Sequence, residues 1–245
     1  KSPGQRLLDG EADLADGDSG LAAQLDAATL LHYTQPDGIT PKLINPSGTI
    51  KKYTGGLSTS ASDAFFNYDI ATGGPINYIG SGALDGAGIP PNFFTDKDVR
   101  LAFNYAFDWD AYMNPIFAGS AIQRTGPIIK PLPGYDSSQP HYFKDLSLAA
   151  SKLNQAWGGQ VAANGFSMTI AYNSGNTARQ AVANILKTNI ESLNPGKYHI
   201  DVISLNWSDF NRDISLGRIP IFVTGWMQDF PHPHNWVQPY LAGAY

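Results

Sequence analysis

The apolar positions of this chain fall into helical stripes and short strand-like runs, and from residue 95 onward the two alternate regularly. Val99, Ala102, Phe103 and Ala106 recur at the three- and four-residue spacing of a helix with one buried face. Thr95, followed three positions later by Asp98, is a capping box in its acidic form and sets the start of that helix. Arg100 on the same helix is expected in an ion pair. A shorter helix is predicted over Asp110–Phe117. An amphipathic one covers Asp145–Trp157 and ends at Gly158-Gly159, and a long one covers Thr177–Leu193, stopped by Asn194-Pro195-Gly196. Trp207–Leu216 is the last predicted helix. Ser167–Asn173 alternates as a strand, and Tyr198–Leu205 reads as another with Ile200, Val202 and Leu205 toward the core. The closing run Ile219, Ile221, Phe222, Val223 is continuously apolar, as in a strand covered on both faces. Helix and strand therefore alternate through the second half, which implies parallel strands joined by crossover helices.

The first half is less regular. Pro3 with Leu7 and Leu8 marks a short helix over residues 3–9 that stops at Gly10. Ala12–Ala15 reads as a brief strand. Leu21–Leu31 is rich in Ala and Leu and reads as a helix. The preceding Gly17-Asp18-Ser19-Gly20 is similar to the nucleophile loop of chymotrypsin-like proteases, but a helix directly after it favours Asp18 or Ser19 as an N-cap. Residues 35–48 are turn-rich. Thr49–Tyr53 and Ala64–Ile70 are predicted strands, and 71–94 is a Gly-rich excursion. Its Gly80-Ser81-Gly82 lacks the downstream spacing and the helix of a dinucleotide fingerprint. Residues 124–143 form a Pro-rich loop. No internal repeat and no linker dividing the chain is visible.

Composition narrows the function. An apolar fraction of 42% over 245 residues is that of a globular chain, despite 25 Gly and 17 Pro. A net charge of −5 without any Lys/Arg run argues against a nucleic-acid surface. No apolar run reaches the length of a membrane span. The absence of Cys excludes disulfides, thiolate metal sites and Cys nucleophiles. Lys1-Ser2-Pro3-Gly4 is not a signal peptide, so either the protein is cytoplasmic or its leader lies outside this sequence.

Candidate chemistry concentrates after the closing strand. From Gly225 the chain brings Trp226, Asp229, His232, His234 and Trp236 together with Pro231 and Pro233. A loop that leaves a strand end of an open α/β sheet is where such sheets bind ligands, and the prolines are expected to hold it extended. Trp226 offers a flat apolar wall and Asp229 a negative charge, which together suit a ligand with a cationic or polyhydroxyl end and an apolar body. The plainer readings are a packing role for Trp226 and a turn-capping role for Asp229. His232 and His234 have no third metal ligand nearby, so no metal site is assigned. A hydrolase built on Asp209 or Asp213 with Asp229 would need two carboxylates about 5 to 10 Å apart, and no local motif supports it.

Several of these pieces resemble one family. Phe94-Thr95-Asp96-Lys97-Asp98-Val99-Arg100-Leu101-Ala102 with Tyr105-Ala106-Phe107-Asp108 is similar to the D-x-x-V-R-x-A-x-x-Y-A-x-D segment of the family 5 extracellular solute-binding proteins of ABC importers, the oligopeptide/dipeptide/nickel class. Gly119-Ser120-Ala121, Gly126-Pro127-Ile128 and Gly134-Tyr135-Asp136 resemble its next stretch. Tyr172-Asn173-Ser174-Gly175-Asn176 resembles its Y-N-x-G-N strand end. Gly225-Trp226-Met227-Gln228-Asp229-Phe230-Pro231-His232-Pro233-His234-Asn235 resembles its G-W-x-x-D-Y-P-x-P-x-N signature, and Leu8–Leu14 its G-E-x-D segment. The pieces occur in the family's order across nearly the whole chain.

The resemblance implies an α/β fold: a periplasmic-binding-protein-like lobe of class II type, with a mixed, mostly parallel sheet flanked by helices. It implies that residues 1–245 form a single ligand-binding lobe, the second lobe of a longer two-lobed chain whose first lobe and leader are not in this sequence. The implied function is capture of peptides or a similar solute outside the cytoplasm, at the cell surface or in the periplasm. Delivery to ABC permease subunits follows, by a monomer without cofactor, metal or catalysis. An oligosaccharide-binding member is the alternative. The implied ligand residues are Asp229, which anchors a peptide α-ammonium in relatives, with Trp226 and Trp207 as pocket walls, Phe65 and Phe66 as further wall residues, and Asn173 as a ligand contact or a turn residue. His232 stands where many relatives carry an acidic residue, which leaves this loop less negative.

Overall fold

The computed structural model describes residues 1–15, 21–34, 40–55, 58–117, 121–130 and 132–241. They form two compact units although the sequence shows no linker: Lys1–Ser58 with Ile116–Ser120, and Thr59–Pro115 with Ala121–Tyr245.

The smaller unit begins with α1 (Pro3–Leu8), capped by the Ser2 hydroxyl, which accepts from Gln5 N at 3.2 Å. Ala12–Ala15 is not a strand. Asp18 and Ser19, the expected caps, lie outside the described residues. The helix expected to reach Leu31 is α2 (Ala22–Ala27), and the chain turns at once into β1 (Thr29–Thr34). Thr-Leu-Leu-His-Tyr-Thr is a β-favouring run, and partners decide its state. It pairs antiparallel with β2 (Lys42–Leu43) and parallel with β3 (Ile50–Thr54). Tyr33 and Tyr53 sit in register with rings stacked at 4.6 Å. Strand propensity and pairing together end the helical pattern of the Ala/Leu-rich stretch before it.

The larger unit holds β4 (Ser60–Phe66), α3 (Lys97–Ala106), α4 (Trp109–Phe117) up to Pro115, α5 (Leu146–Gln155), α6 (Gln160–Asn164), β5 (Phe166–Asn173), α7 (Thr177–Leu193), β6 (Tyr198–Leu205), α8 (Trp207–Ser215), β7 (Ile221–Met227) and α9 (His234–Leu241). Its sheet runs β4-β7-β5-β6, with β5 parallel to β6 and β7, and β4 antiparallel to β7. This is the mixed, mostly parallel sheet flanked by helices that the sequence implies.

Burial follows the predicted stripes. Val99, Ala102, Phe103 and Ala106 of α3 are buried, as are Ile170, Ile200, Ile221 and Val223 of the strands. The Gly-rich excursion belongs to this core, because it delivers Tyr78, Ile79, Ile89, Phe93 and Phe94 to it. Gly80 makes the fold-back practicable. Its φ is +63°, and a Cβ there would stand 2.0 Å from Ala87 O.

Helix α3 starts one residue later than the capping box suggests. Asp96 caps it, its Oδ1 accepting from Asp98 N at 2.7 Å and Val99 N at 3.3 Å. Thr95 closes a 3₁₀ turn (Phe93–Thr95) instead, donating to Asn92 O, and Asp98 pairs with Lys152 at 2.9 Å. Arg100 makes no ion pair among the described residues; its Nη1 donates to the carbonyls of Phe94 and Thr95.

Among the described residues of this unit one charged side chain, Asp213, is fully buried. Asp213 accepts from Tyr78 Oη at 2.7 Å, Arg212 Nε at 3.0 Å and Arg218 Nη1 at 3.2 Å. Burial raises its carboxyl, but these three bonds outweigh burial and hold it below the usual carboxylate range. A depressed carboxyl stabilises the fold above its unfolded value of about 3.9 and loses that contribution as pH falls through the folded value. Asp213→Ala is therefore expected to lower the unfolding free energy by about 3 kcal/mol at pH 7, since Tyr78 Oη loses its partner and both arginines reach solvent. Urea denaturation measures this, and the gap to wild type should shrink as pH drops below about 4.

Candidate functional site

Strand β7 pairs with β4 along its whole length, from Phe66↔Ile221 to Ser60↔Met227. With β5 it pairs only at Ile170↔Ile221 and Ala171↔Phe222. Beyond Ala171 the two parallel strands separate, and the gap opens at their C-terminal ends, where an open α/β sheet binds ligands. The N-termini of α7 and α8 point to the same edge. Asn176 and Asn206 cap them, accepting from Arg179 N and Asp209 N at 2.9 Å. Both helix starts favour negative charge.

Side chains gather there in two groups on opposite faces of β7. The first stands beside Gly225, a residue required bare because a Cβ would lie 2.9 Å from Ala61 O. Arg179 crosses the gap between strand ends. Its Nη1 donates to Asn173 Oδ1 at 2.7 Å, and its Nη2 lies 3.8 Å from where a Gly225 Cβ would be. Its Cζ stands 5.7 Å from the ring centroid of Trp207, which is 53% exposed. Arg179 Nε is buried without a hydrogen-bond partner, and no carboxylate pairs with the guanidinium among the described residues. Burial lowers its pKa from the ordinary arginine value, and the nearby Tyr112 acts in the opposite sense.

The second group surrounds Asn235, which is 5% exposed. Its Oδ1 accepts from Trp226 Nε1 at 3.1 Å and from Asp229 N at 3.0 Å, and its Nδ2 donates to Asp229 Oδ2 at 3.1 Å. One amide thus orients both the indole and the carboxylate. Asp229 is exposed and makes no ion pair among the described residues. Asn235 holds its place because Pro231 and Pro233 do not keep the segment extended. Pro233 O accepts from Trp236 N and Val237 N, starting α9 and burying Trp236. Phe65 lies on this face, stacked on Phe222 at 5.3 Å and Tyr240 at 5.6 Å. Arg124 pairs with Asp63, and Tyr240 Oη donates to Asp63 at 2.6 Å, which ties α9 to β4.

The structure therefore gathers Trp226 and Asp229 around Asn235, and Asn173 and Trp207 around Arg179. Phe65 and Phe66 lie five and six residue pairs along β4 from Ser60↔Met227, away from both groups. Phe66 points to the core face at the far end of β4, against Phe94 at 5.0 Å and Phe103 at 6.2 Å. Asp213 is enclosed by its three donors, and Asp209 pairs with Arg212. His234 N donates to His232 Nδ1 at 3.1 Å, and among the described residues no three metal-ligating side chains cluster. Sequence reasoning missed Arg179, on a long helix where an arginine is unremarkable. It also passed over Asn235, whose signal was its place at the end of the Gly225–Asn235 signature.

Asn235→Ala is expected to cost about 1–3 kcal/mol of stability, because it removes the acceptor shared by a part-buried indole N–H and a part-buried backbone N–H. It should also shift Trp226 fluorescence toward the red. Asn235→Asp should retain the two acceptor bonds but place a second negative charge against Asp229, so its stability deficit should grow as pH rises through the carboxylate range.

Comparison with known proteins bears on this arrangement. The profile described as bacterial extracellular solute-binding proteins, family 5 Middle, matches residues 5–245. The fold is similar to that of the ABC transporter-associated periplasmic binding protein DppA from Helicobacter pylori in complex with the peptide STSA, with TM-score 0.65 and 21% identity over 96% of this chain and 37% of that one. It is similar to Listeria monocytogenes OppA bound to peptide, with TM-score 0.57 and 13% identity over 76% of this chain and 34% of that one. It is also similar to the oligopeptide-binding protein AppA from Bacillus subtilis in complex with a nonapeptide, with TM-score 0.53 and 16% identity over 73% of this chain and 33% of that one. The chain spans about a third of the length of these structures, and no curated protein sequence matches it. At these identities the structures show the fold, while the profile covers nearly the full sequence: the chain belongs to the bacterial extracellular solute-binding proteins, family 5.

Proposed function

We propose that this chain is part of the capture component of an ABC importer and that its solute is a short peptide. The observation that carries the reading is a pair of opposite charges left uncompensated at one sheet edge. The Arg179 guanidinium has no acidic partner, and the Asp229 carboxylate has no basic one, among the described residues. A zwitterion with separated ends answers both. An α-ammonium on Asp229 and a carboxylate on Arg179 would each form a charge-assisted hydrogen bond. Trp226 and Trp207 supply flat apolar surface for the body between the ends.

In this reading residues 1–245 supply the second lobe, and a first lobe of the same chain closes over the peptide outside the cytoplasm. Closure removes water from the polar anchors and accounts for most of the affinity. A single lobe then binds free peptide weakly. The loaded monomer delivers its cargo to permease subunits. No step requires a cofactor or bond cleavage.

Calorimetric titration of the full-length protein with a tripeptide tests the reading. N-acetylation of the peptide and Asp229→Asn should each weaken binding by about 10- to 100-fold, and the substitution should add little once the amine is blocked. C-terminal amidation and Arg179→Met should behave as a second such pair. Binding of cello- or xylo-oligosaccharides that survives both substitutions, with no peptide binding, would sink the peptide assignment.

A further inference from the structure

A second feature lies at the opposite end of the sheet. Phe66 pairs with Ile221, six residue pairs away from Ser60↔Met227 at the candidate solute site, which is roughly 20 Å at about 3.3 Å per residue. Here Phe66, Tyr68, Lys97, Arg100, Leu101 and Tyr142 line a groove of about 240 Å³. Lys97, Arg100 and Leu101 share one side of α3 at helical spacing, next to its buried stripe.

The groove is cationic and aromatic. Arg100 is held in place by the carbonyls of Phe94 and Thr95, at 2.6 and 2.9 Å, and its Cζ stands 4.9 Å from the centroid of the Tyr68 ring. Those bonds orient the guanidinium without neutralising it. Neither Arg100 nor Lys97 has a carboxylate partner among the described residues, whereas Asp98 beside them is matched by Lys152. Among the described residues no acidic side chain lines the groove. Large rings stand exposed around it, with Tyr68 at 53% and Phe143 at 60%. Tyr142 and Phe143 pack edge-on against Tyr105 at 5.3 and 6.0 Å, which fixes them at the surface.

Tyrosine and arginine around a small apolar floor make up the composition of interface hot spots. The volume is below the roughly 300 Å³ at which sites begin to enclose a small molecule, and it suits one or two side chains. We propose that this groove docks an acidic segment of a partner protein: a carboxylate on Arg100 and Lys97, and an aromatic or aliphatic side chain on Phe66 and Leu101 between Tyr68 and Tyr142. The surface is separate from the strand ends, so a partner can dock while solute is held.

The test uses a fluorescein-labelled peptide of alternating Glu and Phe, blocked at both ends so that it lacks terminal charges for the strand-end anchors. Anisotropy titration of the full-length protein at low salt should show binding that Lys97→Glu weakens about fivefold or more, and that falls with ionic strength. Tyr142→Ala should weaken it similarly, and a peptide with Gln in place of Glu should bind correspondingly worse. Lys97 is exposed and its variant is expected to keep the wild-type Tm. Asp229→Asn should leave this binding unchanged. Absence of binding to the Glu peptide, equal binding of the Gln peptide, indifference to Lys97→Glu, or loss in Asp229→Asn would each overturn the proposal.

Discussion

The separation of β7 from β5 after two pairs is the constraint on which the candidate site depends. β4 pairs with β7 throughout, so β7 stays a strand while its parallel neighbour leaves it. The opened edge admits a side chain from α7, and Arg179 enters between the strand ends. Gly225 lets β4 approach closely there, because any Cβ would press on the β4 backbone. The same strand carries Trp226 to the opposite face, where α9 and Asn235 take over its orientation. The geometry of the candidate site thus grows from a backbone feature, the uneven pairing of one strand, before any particular side chain is considered.

Satisfaction of charge separates scaffold from site within this unit. Asp213 is buried and receives three hydrogen bonds; its role is to join the Gly-rich excursion, through Tyr78, to α8 and the entry of β7. Asp63 is similarly occupied by Arg124 and Tyr240. Among the described residues, Arg179 and Asp229 are left with neutral amide partners. A protein that leaves a half-buried guanidinium without an anion accepts a desolvation cost in its empty state, and a ligand that supplies the anion recovers it. The same reasoning marks the Lys97–Arg100 groove, where cations face open aromatic surface while neighbouring charges are paired.

Much of the fold was legible in the sequence wherever local pattern and tertiary context agree. The limits of α7 and β6 follow from the periodic apolar positions and the Asn-Pro-Gly stop, and the alternation after residue 95 implies the parallel sheet. Legibility failed where long-range partners overruled local preference. Thr29–Thr34 sits in an apparently helical run but is a strand, because Ile50–Thr54 pairs with it. The excursion over 71–94 looks like loop but delivers buried aromatics, because glycines let it fold back on itself. His234–Leu241 looks like an extended loop but is a helix, because burial of Trp236 outweighs the local proline signal.

The candidate site divides the same way. The amino-acid sequence by itself determined the fold class, the family signature and the pairing of Trp226 with Asp229 in one short segment, since these rest on residue types at close spacing. Only the tertiary structure decided that Asn235 orients that pair, that Arg179 stands beside Asn173 and Trp207, and that Phe65 and Phe66 face opposite sides of one strand, one toward Tyr240 and the other toward Phe94. The physical reason is that a hydrogen bond or an unpaired charge is defined by which groups meet in space. Those meetings join residues tens of positions apart, through strand register and helix placement that local periodicity does not encode.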